Sequence, residues 1–137
     1  MRTLHFGLRV NDLDRSLAFY TAVGYEVVGR VPETPIGELV MLKLPDDEFV
    51  TIELVHDPTH AGAPGTGLSH FVLMVESMDA ALAELSARGV DAEEPVSPDG
   101  SDDFRTTSIV DPDGNRVELV QWPAGHAAGF TRADWET

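Results

Sequence analysis

Cysteine is absent from all 137 residues. That excludes a disulfide scaffold, a thiolate nucleophile, a cysteine-ligated zinc finger and an iron–sulfur site. Basic residues are scarce: nine Lys and Arg stand against twenty-four Asp and Glu, a net charge of −15. A chain this acidic repels phosphate backbones and anionic lipid surfaces, which argues against nucleic-acid and membrane partners and for a small-molecule one. No apolar run approaches the roughly 20 residues of a membrane span. The opening Met-Arg-Thr-Leu-His-Phe-Gly-Leu-Arg-Val lacks an apolar signal core and already reads as a strand, which predicts a cytoplasmic protein. What is plentiful is ordinary. Apolar residues at 42% suffice for a core, and the length predicts a single domain spanning 1–137.

The chain repeats itself. Residues 5–24 (HFGLRVNDLDRSLAFYTAVG) align without a gap on residues 70–89 (HFVLMVESMDAALAELSARG), an offset of 65 with nine of twenty positions identical. At the same offset Glu53-Leu54-Val55 falls on Glu118-Leu119-Val120. Two copies are too few for a solenoid, which needs three or more, and suit paired modules closing one sheet.

Each copy reads alike locally. Leu4, Phe6, Leu8 and Val10 alternate with His5, Gly7 and Arg9, the period of a strand whose larger apolar side chains pack onto a helix. Asp12 or Asp14 can cap that helix, and Gly24 stops it. Strands are predicted over 25–31, 39–44 and 50–55. In the second copy a strand over 70–75 precedes a helix that Ser77 caps and Gly89 ends, then three more short strands. Asp111-Pro112-Asp113-Gly114 is a tight turn between the last two. The expected fold is α+β, two βαβββ modules over about 1–56 and 68–122, joined by a linker over 57–67 and followed by a tail over 123–137.

Alternation also assigns faces. His5 shares a face with Gly7 and Arg9; Glu53, His70 and Glu118 each point away from the apolar residues beside them. A lone strand His is more often hydrogen-bonded filler, and a lone Glu is usually just solvated. Repetition changes that judgement, because both ligand types recur at one offset. A two-fold operation gathers His5, Glu53, His70 and Glu118 into a His₂Glu₂ set for one divalent ion of the zinc, nickel, cobalt, iron or manganese kind. Such a set leaves positions open for adjacent oxygens of a substrate. His56, His60 and His126 have no repeat counterpart of their own kind and are read as loop residues.

With these residues the chain resembles the vicinal oxygen chelate superfamily over about residues 1–122. The carrying segments are HFGLRVNDLDRSLAFYTAVGYEVV, Glu-Leu-Val after Thr51-Ile52, Ser69-His70-Phe71, and DPDGNRVELVQW. The full quartet and the opening Met-Arg-x-Leu-His-x-x-Leu-Arg-Val resemble the compact bacterial glyoxalase I type. The resemblance implies a cupped mixed sheet and a homodimer. It also implies a metal at the dimer interface, the first His and Glu coming from one subunit and the second pair from the other. It implies isomerisation of the hemithioacetal of glutathione and methylglyoxal, with Glu118 taking the C–H proton and Glu53 assisting on the opposite side. Carried over in the same way, Arg9 pairs with a substrate carboxylate.

Two segments differ from the glyoxalase I pattern. Val55-His56-Asp57 puts an acid where that pattern has a neutral amide, and the loop over 97–103 (SPDGSDD) carries no cation. An acidic loop is a poor receptor for a dianionic peptide, so another thiol adduct or small carbonyl substrate is expected. Four other activities of the superfamily compete with the lyase reading. An acyl-CoA epimerase would want basic residues for the CoA phosphates, which are few here. An extradiol dioxygenase or a fosfomycin-type thiol transferase uses two His and one Glu. A drug-sequestering protein of the bleomycin-resistance kind binds its ligand without chemistry and typically lacks the full ligand set.

Overall fold

The computed structural model describes residues 4–59, 68, 70–129 and 132–135. The elements run β1 (Phe6–Arg9), α1 (Leu13–Val23), β2 (Glu26–Val31), β3 (Glu38–Lys43), β4 (Ile52–His56), β5 (His70–Met74), α2 (Met78–Ala87), β6 (Arg105–Val110) and β7 (Arg116–Gln121), with a short 3₁₀ turn at Arg132–Trp135. The fold is α+β with two mixed sheets. Among the described residues no helix is long and apolar enough to cross a membrane. The chain divides into two compact units, Met1–Leu68 with Asp111–Gly114, and Ser69–Val110 with Asn115–Thr137.

In the first unit the strand order is β1-β4-β3-β2, with β1 parallel to β4 and the other pairs antiparallel. Helix α1 starts where Asp12 accepts a hydrogen bond from the Arg15 backbone N–H and ends at Gly24, whose φ of 127° suits glycine. Leu13, Leu17 and Tyr20 of the helix are buried, as are Leu8, Val10, Val40, Leu42, Ile52 and Leu54 of the strand side. At Gly37 (φ 111°) the chain passes so close to β4 that a Cβ would sit 2.4 Å from the His56 carbonyl oxygen.

The second unit has the order β5-β7-β6, again with a parallel pair, β5 to β7, and an antiparallel one. Ser77 caps α2 from the position equivalent to Asp12, accepting from the Ala80 N–H. Met78 and Leu85 of the helix are buried, as are Ile109, Val117 and Leu119 of the strands.

Three sequence expectations need correction. The second module forms two strands after its helix, not three. Its middle segment keeps one bridge, Val96 to Thr106. The repeat counterpart of β2 reads Asp91-Ala92-Glu93-Glu94-Pro95-Val96, poor strand formers with a proline that has no N–H to donate. Second, β1 begins at Phe6, and Leu4 and Phe6 are exposed, so only Leu8 and Val10 of the first strand enter the core. Third, His56 closes β4 and is no loop residue. His60 lies outside the described residues, as does 60–67 of the expected linker.

The Asp111–Gly114 turn links β6 to β7 yet belongs to the first unit. The Tyr20 hydroxyl donates to Asp111 Oδ2 at 2.6 Å, both groups being buried. Asp113 accepts from the Asn11 N–H at 3.0 Å and the Ser16 hydroxyl at 3.2 Å. Burial, then the hydrogen bond to Asp111 and its charge, push the Tyr20 phenol far above its ordinary value. Tyr20→Phe should cost about 1–3 kcal/mol, since it strips a buried carboxylate of a donor. Urea unfolding measures this, and an unchanged midpoint would deny the bond its role. Above about pH 10 the unfolded chain releases the phenol proton while the folded chain retains it, so stability falls as pH rises. That alkaline decline should be shallower in Tyr20→Phe.

Candidate metal centre

The parallel strand pairs place the ligand-type residues. In the first unit Gly7 is the register partner of Glu53, and His5 lies two residues before Gly7. In the second unit Val72 is the partner of Glu118, and His70 lies two residues before Val72. Both pairings therefore keep the offset of 65 on both strands. The glutamates stand on interior strands, β4 and β7. Ile52 and Leu54 flank Glu53 on the opposite, buried face, as Val117 and Leu119 flank Glu118. A one-residue slip would drive either carboxylate into the core, so the apolar flanks fix the register.

The geometry is repeated too. His5 Nε2 lies 3.3 Å from Glu53 Oε2, and His70 Nε2 lies 3.6 Å from Glu118 Oε2. The glutamate side chains are 17% and 29% exposed and the imidazoles 41% and 42%, so each pair is open to solvent from the histidine side. Two donors about 2.1 Å from one ion and about 90–110° apart are themselves roughly 3.0–3.4 Å apart. The first pair, at 3.3 Å, falls in that range and the second, at 3.6 Å, lies just beyond it, while the donor chemistry, one imidazole and one carboxylate per pair, suits a divalent ion. The structure thus assembles the quartet as two pairs. Among the described residues no three His, Asp or Glu side chains form a group able to hold a metal.

Arg9 is exposed, on the His5 side of β1, and among the described residues no carboxylate pairs with it. Of the remaining histidines, His126 lies beyond β7 and stacks on Trp122 with ring centroids 4.4 Å apart. One neighbour escaped the sequence reading. Arg116 is the register partner of His70 and shares the Glu118 face of β7, and its Nε donates to Ser108 Oγ at 2.8 Å. The period-two spacing from Glu118 was the signal that could have found it.

Residues 2–119 match the family model of the Glyoxalase/Bleomycin resistance protein/Dioxygenase superfamily, and the chain belongs to that superfamily. It is 30% identical over 125 residues to a lactoylglutathione lyase of Salmonella typhimurium, covering 88% of this chain and 93% of that one. A glyoxalase family protein from Enterococcus faecalis shares the fold, with a TM-score of 0.72 at 23% identity, covering 88% of this chain and 97% of that one. An antibiotic-binding protein from Streptomyces does so as well, with a TM-score of 0.64 at 24% identity, covering 88% and 96%.

Because Arg9 is exposed and has no acidic partner among the described residues, Arg9→Ala should shift stability by no more than about 0.5 kcal/mol. Thermal unfolding checks this. A larger loss would mean that the residue supports the fold.

Proposed function

We propose that this protein is a metal-dependent lyase of the glyoxalase I kind. It isomerises a hemithioacetal, or a related small carbonyl compound, by moving a proton between adjacent carbons. The observation that carries the reading is the pair of His–Glu couples, each brought to 3.3–3.6 Å by parallel strands that share one register. The 30% identity to a lactoylglutathione lyase supports it.

His5, Glu53, His70 and Glu118 hold the ion. An ion of this kind takes four or more donors while each unit supplies two, so one site needs both pairs. The two pairs come from two copies of the chain in a homodimer. When bound, the ion supplies Lewis-acid stabilisation of the negative charge that develops on the substrate oxygen. The carbon acid next to that carbonyl then comes within reach of a carboxylate base. Glu118 removes the proton, and Glu53 assists on the opposite side of the substrate. Arg9 holds a carboxylate of the substrate. Nickel or zinc is the expected ion, and the acidic surface of a −15 chain concentrates cations near the protein. The acidic 97–103 segment and Asp57 disfavour glutathione itself and favour a less anionic thiol adduct or a small free carbonyl compound.

Elemental analysis of untagged, chelator-free protein should find about one divalent ion per chain, lost in His5→Ala and in Glu118→Ala. An ion retained by both variants, or none after reconstitution, would overturn the metal reading. The second result would turn attention to sequestration of a drug-like ligand. Glu118→Gln should leave the fold intact and slow turnover of a hemithioacetal by at least about 10²-fold. Full activity in that variant would remove Glu118 from the base role. Refolding His5→Ala together with His70→Ala tests the two-copy arrangement. Pairs drawn from two chains restore one intact site per mixed dimer, whereas pairs drawn from one chain restore none.

A further inference from the structure

We infer that Arg116 is the residue that selects an anionic substrate at the His70–Glu118 pair, so that the natural substrate carries a carboxylate close to its chelating oxygens. This rests on the metal reading above and deepens it.

Four observations lead there. Arg116 is the strand partner of His70 and stands two residues from Glu118 on the same face of β7, about 6.6 Å along the strand. Its Nε is committed to Ser108 Oγ at 2.8 Å, and Ser108 is itself buried and paired in register with Glu118. The guanidinium plane is therefore fixed from behind while its terminal nitrogens keep their donors. In a chain with twenty-four acidic residues, no carboxylate among the described residues pairs with this exposed arginine. Arg30, Arg88 and Arg105, by contrast, each pair with an acid.

The repeat sharpens the point. His5, Glu53, His70 and Glu118 recur at the offset of 65, but Arg116 falls on Thr51 and Ser108 on Lys43. The device is absent from the first copy. Ion binding uses what the duplication kept, and recognition of the substrate's charge uses what it did not keep. A planar fork held at one end binds a carboxylate through two parallel N–H bonds, which a point charge does not reproduce. The spacing suits an anionic group two or three bonds from the chelating atoms.

Two hydroxamates serve as probes, because each chelates a metal through adjacent oxygens and only one carries a carboxylate. Acetohydroxamate and succinomonohydroxamate are titrated calorimetrically into nickel- or zinc-loaded protein. The wild type should bind the succinyl probe at least about ten-fold more tightly. Arg116→Ala should erase that preference while leaving acetohydroxamate affinity and metal content in place, and Arg116→Lys should keep only part of it. Equal affinities in the wild type, or a preference that survives Arg116→Ala, would overturn the inference and leave the metal reading standing. So would a preference abolished by Arg9→Ala alone. Binding of neither probe to metal-replete protein would overturn both.

Discussion

Parallel pairing of a strand at the sheet edge with one in its interior is the constraint on which the rest of this molecule depends. It occurs twice, β1 with β4 and β5 with β7, and in the same register both times. Parallel neighbours cannot be joined by a tight hairpin, so each copy carries a long connection that includes a helix. That helix supplies the apolar lid for the opposite face of the sheet. Once the lid side is filled by Ile52, Leu54, Val117 and Leu119, Glu53 and Glu118 are left on the other face. A histidine two positions before the register partner then meets each carboxylate. Core packing and ligand placement are one event seen from two faces of a sheet.

Much of this was legible in the sequence because it is carried by periodicity and repetition. The helix caps Asp12 and Ser77, the stops at Gly24 and Gly89, and the alternation around Glu53 and Glu118 are local signals. What local signals do not carry was harder to read. Alternation around Leu4 and Phe6 is perfect, yet α1 does not extend over them, and burial is decided by what lies opposite. The segment 91–96 inherited its place in the order of elements but not the residues that sustain a ladder, so position in the repeat overstated it. Asp111-Pro112-Asp113-Gly114 announced a turn by composition, while its bonds to Tyr20, Ser16 and Asn11 span about a hundred residues of sequence and leave no periodic trace. The site itself was legible as four residues and two pairings. Assembly is a different matter, because one chain's periodicity does not encode it.

Charge divides the labour of the site. The imidazole–carboxylate pairs are duplicated, and the chain as a whole is acidic. The arginines beside them, Arg9 and Arg116, are single-copy features, in a sequence where cations are few and three of the others, Arg30, Arg88 and Arg105, are paired with acids. A duplicated protein can keep its chemistry symmetric and still accept an asymmetric molecule, provided that the residues which read the molecule's ends have diverged.

The Asp111–Gly114 turn bears on how the chain is made. Position 85, the counterpart of Tyr20, is leucine, so the second helix buries no phenol that needs an acceptor. The first helix buries a phenol whose acceptor, Asp111, is translated some ninety residues later. As the chain emerges from the ribosome, the N-terminal unit cannot satisfy its own core until the C-terminal one is nearly complete. Domains commonly finish folding in order of synthesis. Here the first unit completes its buried hydrogen bonding only once residue 111 has joined it, so its native core waits for most of the chain.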